Sequence, residues 1–193
     1  MIPGQVIAVV GPSGVGKDSV MAGLSTALPA LQIVRRTITR PAELGGEDYN
    51  AVTLEAFAAM IENNAFCLHW TAHGLSYGIP MDVKNGAFKG QSFLVNLSRG
   101  ILPTADQVFP NFAILRLTAS PETLARRLQG RGRETPDDIR ARLAHTGASI
   151  PSDLRVIDIS NDGPLLQTVA AAAAALCPRP ALQTETQPVS DPP

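Results

Sequence analysis

The stretch "GPSGVGKD", residues 11–18, follows an unbroken apolar run, Val6 to Val10, and precedes a segment whose apolar residues have helical spacing. A short, β-branched apolar run predicts a strand that is buried on both faces. Glycines directly after such a strand let successive backbone N–H groups turn inward, and the following helix N-terminus adds its positive end. Strand, glycine-rich loop and helix in this order predict a P-loop, which binds the phosphates of a nucleotide.

The P-loop motif assigns expected roles to its positions. We expect these residues to contact ATP: Gly11, Pro12, Ser13, Gly14, Val15, Gly16, Lys17, Asp18 and Ser19. Lys17 is expected to be catalytic and to bridge the β- and γ-phosphates. The motif has Ser or Thr after the lysine, as a Mg²⁺ ligand, whereas this chain has Asp18. A carboxylate also suits Mg²⁺, so Asp18 is the expected metal ligand; the alternative is an ordinary acid in a first helical turn.

Composition sets the class of protein. The chain has 193 residues, of which 45% are hydrophobic and 17% charged. These values are typical of a soluble globular domain. With a net charge of −1, no overall basic field attracts nucleic acid or an acidic membrane. The two cysteines, Cys67 and Cys177, form no CxxC motif, which favours a reducing cytoplasm. We therefore expect a small-molecule partner, and the oligomeric state stays open.

Strands alternate with helices along the rest of the chain. Beyond Val6–Val10, apolar runs predict strands at residues 33–39, 92–95, 113–117 and 156–159, with two short strands around a turn at His73-Gly74. Helices are predicted after residue 17, after Thr53, after Ser120, after Thr135 and over residues 164–176. This alternation predicts an α/β fold with a central parallel sheet flanked by helices. We expect one kinase domain over residues 1–176, with an acceptor subdomain at about 35–90, and a disordered tail over 177–193.

Residues 124–143, "LARRLQGRGRETPDDIRARL", concentrate six arginines around two glycines. Arginines suit phosphoryl transfer because they neutralise charge that spreads over the transferred oxygens. A glycine-flanked loop of this kind can close over a nucleotide and exclude water. We expect a lid at about residues 129–146, with Arg131 and Arg142 as catalytic residues. The alternative for any one arginine is a solvated helix face or an ion pair with Glu134, Asp137 or Asp138.

Several motifs, taken in order, resemble the guanylate kinase superfamily: "GPSGVGKD", "TITRP", "GEDYN", "RLQGRGRE" and "SNDG". The resemblance covers roughly residues 4 to 175. Within the superfamily, "GKDS", "LVNLSR" and "RGRE" resemble the ribose 1,5-bisphosphate phosphokinase family. That resemblance implies a P-loop kinase that uses ATP and Mg²⁺ to make 5-phosphoribosyl 1-diphosphate in bacterial phosphonate use.

The departures from true guanylate kinases concern the acceptor. Those enzymes read guanine with a carboxylate before the "W", a hydroxyl after "YG" and a second acid at a strand end. This chain has His69, Ile79 and Leu97 at the corresponding positions. Guanine's N–H donors would then lack acceptors, and a site without them rejects the base strongly. We therefore expect an acceptor other than GMP.

A sugar bisphosphate fits the remaining residues. The resemblance implies that Arg40, Tyr49 and Tyr77 grip an acceptor phosphate, while the family's second phosphate arginine falls on Glu43. We expect the full acceptor set to be Arg36, Arg40, Tyr49, Tyr77, Asn96, Ser98 and Arg99. In this set Arg36 and Arg99 replace the lost arginine, and Asn96 and Ser98 bind sugar hydroxyls. The alternative for Asn96 and Ser98 is a strand-end turn that satisfies its own backbone.

Two other functions remain open from the sequence. One is a guanylate-type nucleoside monophosphate kinase with an altered acceptor. The other is a non-catalytic guanylate kinase-like binding module, which typically loses the P-loop lysine and the lid arginines. This chain keeps both. An anionic phosphate acceptor is already nucleophilic, so we expect catalysis by positioning and charge stabilisation without a general base.

Overall fold

The computed structural model describes residues 4–41, 47–129 and 149–176. Its central sheet contains five strands within these ranges: β1 (Val6–Val10), β2 (Leu31–Ile33), β7 (Ser92–Asn96), β8 (Phe112–Thr118) and β9 (Val156–Ser160). Their order is β2-β7-β1-β8-β9, and every neighbouring pair is parallel. The predicted parallel α/β fold is confirmed.

Strand β1 lies at the centre of this sheet because both of its faces are apolar. Val6, Ala8 and Val10 pack into one buried cluster, and Ile7 and Val9 pack into the other. The second cluster is covered by helices α1 (Lys17–Ala27) and α6 (Leu165–Leu176). Alternating burial of this kind fixes the register of the strand, since a slip of one residue would exchange its two faces.

A second sheet packs beside the first. It contains β3 (Arg36–Ile38), β4 (Tyr49–Ala51), β5 (Phe66–Ala72) and β6 (Leu75–Pro80), in the order β4-β3-β6-β5. Strands β5 and β6 form the hairpin predicted around His73-Gly74, and both turn residues have positive φ angles. Leu68 and Ile79 from this hairpin join the cluster under β1, so the second sheet is anchored to the core.

The single strand predicted over residues 33–39 is wrong. The chain instead forms β2, continues for one more buried residue, Val34, whose N–H bonds to Leu94, and then leaves the central sheet. Strand β3 pairs with β4 and β6 in the second sheet. β-Branched residues stand on both sides of this passage, so the sequence pattern alone does not show that the two short strands belong to different sheets.

The other α-helices in the described ranges are α2 (Leu54–Glu62), α3 (Met81–Phe88), α4 (Leu102–Val108) and α5 (Pro121–Gln129). Thr53 caps α2 by accepting from the Ala56 N–H at 3.1 Å, as predicted. Helix α3 was not predicted, since it contains Gly86, a poor helix former. A Cβ on Gly86 would lie 2.3 Å from the Gln91 side chain, so close packing explains the glycine. No helix in the described ranges is long and apolar enough to cross a membrane.

Candidate active site

The loop between β1 and α1 has the backbone that the P-loop motif requires. Gly14 and Gly16 have φ angles of 82° and 91°, in the region that favours glycine. A Cβ on Gly16 would also lie 2.8 Å from the Asn161 amide nitrogen. Gly16 is the N-cap of α1, so the positive end of that helix faces the loop. The glycines are therefore required both by backbone conformation and by packing.

Asn161, which follows β9, bonds to the P-loop backbone. This side chain is 3% exposed, and its Nδ2 donates to the Val15 carbonyl at 2.7 Å. Its Oδ1 accepts from the Thr168 hydroxyl at 2.8 Å, and Arg127 Nη1 donates to the same Val15 carbonyl at 3.3 Å. The "SNDG" motif was recognised from sequence without a role for this residue. The structure gives Asn161 a contact with the loop that sequence spacing does not reveal.

We predict that Asn161→Ala lowers stability and weakens ATP binding. The substitution leaves the buried Thr168 hydroxyl without this acceptor and removes a donor to Val15, at about 1–3 kcal/mol for an unsatisfied buried group. Thermal unfolding and the KM for ATP measure both effects. Asn63→Ala is the matched control, because Asn63 is exposed at the end of α2. An Asn161→Ala protein with wild-type melting temperature and ATP affinity would contradict the assigned contact.

Lys17 begins α1 and folds back across the loop. Its Nζ donates to the Gly11 carbonyl at 3.0 Å and to the Pro12 carbonyl at 3.3 Å. The ammonium group therefore lies over the cradle in which the motif places nucleotide phosphates. Asp18 and Ser19 follow in the first turn, and both are exposed.

A cavity of about 310 Å³ lies between α1 and the second sheet. Its polar lining includes Asp18 from α1, Glu47 and Asp48 from the segment before β4, and Asn96 from the end of β7. Asn96 is opposite Val9 in the parallel register of β7 and β1, so both strands deliver their carboxyl ends to this edge. Ligands of open α/β sheets bind at this edge. The cavity thus extends from Asp18, which directly follows Lys17 of the P-loop, to Glu47 and to Asn96 of the predicted acceptor set.

Arg36 is buried and paired within the protein. Its Nε and Nη2 atoms both lie 2.7 Å from Glu47 Oε1. The guanidinium also lies 5.0 Å from the Tyr77 ring centroid and 5.9 Å from that of Trp70. Those two rings stack at 5.2 Å with an interplanar angle of 11°. The predicted phosphate ligand is therefore enclosed by a carboxylate and two aromatic faces.

Asn96 and Ser98 bond to residues far away in the chain, which differs from the alternative of a self-satisfied turn. Asn96 Nδ2 donates to Glu47 Oε2 at 2.8 Å, and the Trp70 indole N–H donates to Ser98 Oγ at 3.0 Å. Both side chains thereby link the end of β7 to the second sheet. Glu47, which sequence reasoning missed, connects Arg36 and Asn96. Its only signal was its place in the quoted "GEDYN" motif.

Arg40 and Tyr49, both predicted to bind an acceptor phosphate, contact each other. Arg40 Nε donates to the Tyr49 hydroxyl at 3.0 Å, and its guanidinium lies 4.5 Å from the centroid of that ring. The Tyr49 hydroxyl in turn donates to the Pro41 carbonyl at 2.7 Å. Arg99 is half-buried in a short 3-10 turn, Arg99–Ile101, after β7. The structure thus places Tyr49 in the second sheet, Arg40 shortly after β3 and Arg99 after the end of β7.

The positions that read guanine in the superfamily present little polarity here. Ile79 and Leu97 are 0% and 4% exposed, and both belong to the apolar cluster under β1. His69 is exposed on β5. Two of the three positions therefore contribute to the core and offer no acceptor to a base.

Other predicted residues fall beyond or beside this site. Arg131, Arg142 and Glu43 lie outside the described residues, as do most of the predicted lid and the predicted tail. In the described ranges, no group of three or more His, Cys, Asp or Glu side chains is arranged to hold a metal ion. Burial raises the pKa of the Cys67 thiol to about 11, so this thiol is protonated at neutral pH and is a poor nucleophile.

Comparison of the sequence with known proteins identifies similar families and relatives. The family model described as guanylate kinase matches residues 4–158. The chain is 49% identical over 172 residues to ribose 1,5-bisphosphate phosphokinase PhnN of Ruegeria sp., covering 89% of this chain and 90% of that protein. It is 42% identical over 163 residues to the protein of the same name from Rhizobium etli, covering 83% of each chain.

Solved structures support the fold. A guanylate kinase from Anaplasma phagocytophilum superposes with a TM-score of 0.60 at 19% identity, over 90% of this chain and 85% of that one. A gluconokinase from Sinorhizobium meliloti gives a TM-score of 0.54 at 19% identity, over 91% of this chain and 92% of the other. At this identity the likeness concerns the fold alone.

Proposed function

Because this chain belongs to the guanylate kinase family and, within it, to the ribose 1,5-bisphosphate phosphokinases, we propose that it phosphorylates ribose 1,5-bisphosphate with ATP. The observation that carries the proposal is the 49% identity over 89% of the chain to an enzyme of that name. The site supports it, since the P-loop with Lys17 follows β1, and Asn96, Ser98 and Arg99 of the predicted acceptor set lie at the end of the neighbouring strand β7.

The reaction is a transfer from phosphate to phosphate. An oxygen of the acceptor's 1-phosphate forms a bond to the γ-phosphorus of ATP, and the bond between that phosphorus and the β–γ bridging oxygen breaks. The products are ADP and 5-phosphoribosyl 1-diphosphate. The attacking oxygen carries its own negative charge, so no side chain has to remove a proton. The protein then acts by alignment and by stabilising the charge on the transferred group.

We assign the donor phosphates to the loop N–H groups and to Lys17, whose ammonium group already lies over the loop. Arg40 and Tyr49 are proposed to bind an acceptor phosphate, and Tyr77 and Arg99 are proposed to contact the acceptor as well. Arg131 and Arg142 of the predicted lid are proposed to stabilise the charge on the transferred phosphoryl group. The two alternatives fit this site less well. A non-catalytic binding module needs no P-loop lysine, and a guanylate-type kinase needs contacts to guanine that Ile79 and Leu97 do not offer.

Asp18 is suited to a Mg²⁺ ion bound with the nucleotide. Its exposed carboxylate stands at the N-terminus of α1 and lines the cavity. A single protein carboxylate is adequate, because Mg²⁺ usually keeps several waters and takes its other ligands from substrate phosphates. When bound, the ion would neutralise charge on the β- and γ-phosphates.

We predict that Asp18→Asn raises the Mg²⁺ concentration for half-maximal activity at least severalfold, since a neutral amide is a weaker ligand than a carboxylate. A Mg²⁺ titration at saturating ATP measures the effect. Asp82→Asn is the matched control, because Asp82 is an exposed acid in the first turn of α3. An unchanged titration of Asp18→Asn would reduce Asp18 to an acid that only stabilises its helix.

The proposed reaction is tested by product identification. Purified protein is incubated with ATP, Mg²⁺ and ribose 1,5-bisphosphate, and phosphorus NMR follows the mixture. We expect stoichiometric ADP and a new diphosphate bonded to carbon 1 of the sugar. ADP formed without a sugar diphosphate would indicate ATP hydrolysis and would contradict the proposal.

A further inference from the structure

Glu47 occupies a position that none of the predicted roles uses. Its side chain is 16% exposed and faces Arg36, whose side chain is 9% exposed. Glu47 Oε1 receives two contacts from the guanidinium, and Oε2 receives one from Asn96. The carboxylate is thus fixed from two sides by residues of β3 and β7. A side chain so fixed is well suited to recognise a ligand in one orientation.

The charges around Glu47 favour a neutral ligand group. Arg36 is already compensated at 2.7 Å, and neighbouring Arg35 pairs with Asp48 at 2.9 Å. A phosphate brought to Arg36 would therefore approach the Glu47 carboxylate as well, and like charges repel at such distances. On a pentose bisphosphate the uncharged groups with O–H donors are the hydroxyls. Glu47 therefore favours the sugar and disfavours the phosphates.

Among the residues that the structure describes, the hydrogen bonds of Glu47 leave one lone-pair position for such a donor. An ionised carboxylate offers about four lone-pair positions. Arg36 uses the two on Oε1, and Asn96 uses one on Oε2. Glu47 also lines the cavity that extends to Asp18 beside the P-loop. In dinucleotide-binding sites an acidic side chain binds a ribose hydroxyl in the same way.

We infer that Glu47 is a specificity-determining residue that accepts a hydrogen bond from the 2-hydroxyl of the acceptor pentose. This inference rests on the proposed function, which places the reacting 1-phosphate toward the P-loop. The 2-hydroxyl is on the carbon next to that phosphate, and the cavity that Glu47 lines extends to Asp18, which directly follows Lys17 of the loop. Arg36 and Asn96 act as positioning residues, because their contacts fix the orientation of the carboxylate.

The test compares ribose 1,5-bisphosphate with 2-deoxyribose 1,5-bisphosphate in the wild-type protein and in Glu47→Gln. We expect the wild type to prefer the hydroxylated sugar about tenfold to a hundredfold in kcat/KM, the range for loss of a bond to a charged group. In Glu47→Gln the preference should fall below about threefold. Asp48→Asn, a change in the adjacent acid of the same cavity, should keep the wild-type preference.

The ratio separates recognition from a merely structural role, since a purely structural loss lowers kcat/KM for both sugars equally. Equal use of the two sugars by the wild type would overturn the inference, and so would a Glu47→Gln protein with the full preference. If Glu47→Gln does not fold, Glu47→Asp retains the charge beside Arg36 with a shorter reach, and it should lose part of the preference; an unchanged ratio there would also overturn the inference. Absence of turnover with either sugar would instead refute the proposed function itself.

Discussion

Replacement of Lys17 by methionine is expected to lower kcat about a thousandfold or more while the protein stays folded. The ammonium group lies over the P-loop, 3.0 Å from the Gly11 carbonyl. Negative charge on the γ-phosphoryl oxygens and the leaving oxygen has to be stabilised during transfer, and cations that do so are worth about 10³-fold or more. Methionine keeps the length of the side chain and removes the charge, so the loss reports on electrostatics and less on packing.

Single-turnover kinetics and thermal unfolding check this expectation together. Lys89→Met serves as the control, because Lys89 is an exposed residue at the end of α3. We expect its kcat to remain close to that of the wild type. A Lys17→Met protein that keeps its melting temperature and a kcat within threefold of wild type would refute the P-loop assignment.

The P-loop was predictable because its determinants are contiguous. A buried strand, Val6–Val10, a glycine-rich loop and the start of α1 follow one another directly, and each has a local physical signature. The support beneath the loop was not predictable in the same way. Asn161 reaches Val15 from 146 positions away in the chain, and no periodicity records such a pairing.

The predicted acceptor residues also have partners that the sequence does not reveal. Sequence reasoning selected Arg36, Asn96 and Ser98 by residue type, and in the structure each bonds to a residue of the same protein. Arg36 and Asn96 both bond to Glu47, which meets Asn96 across 49 positions, whereas Ser98 bonds to Trp70. Residue type alone indicates that a guanidinium binds an anion. Only the packing of the second sheet against the end of β7 reveals that this anion is a carboxylate of the same protein.

The single strand predicted over residues 33–39 was wrong because strand partners, too, are distant in the chain. Residues 33–39 form an almost continuous run of strand-forming residues, but the chain passes from the central sheet to the second sheet within it. Exposure differs across that passage, since Ile33 at the end of β2 is 45% exposed whereas Arg36, Thr37 and Ile38 are buried, and the run of β-branched residues does not record this change. Strand partners, which the pattern does not encode, differ completely. Arg36 and Arg40 of the predicted acceptor set follow this junction, where the chain leaves the sheet that carries the P-loop.

The protein is expected to reject GMP by several powers of ten in kcat/KM relative to ribose 1,5-bisphosphate. A guanine reader needs acceptors for the ring N–H and the amino group, but Ile79 and Leu97 are buried in the apolar cluster under β1. His69, at the third position, is exposed on β5 and is not a carboxylate. Each unmade bond to a buried base group costs about 1–3 kcal/mol, and about 1.4 kcal/mol is tenfold. Three such losses account for the expected rejection.

The measurement is the initial rate of ADP release with GMP, AMP or ribose 1,5-bisphosphate at equal concentrations below KM. His69→Glu tests the origin of the selectivity, because it restores one carboxylate at an exposed position that tolerates charge. We expect this variant to remain inactive on GMP, since Ile79 and Leu97 still offer no partner to the base. Efficient GMP phosphorylation by the wild type would refute the assignment of the acceptor. Efficient GMP phosphorylation only by His69→Glu would show that a single carboxylate at this strand, and not the apolar packing behind it, separates the two activities.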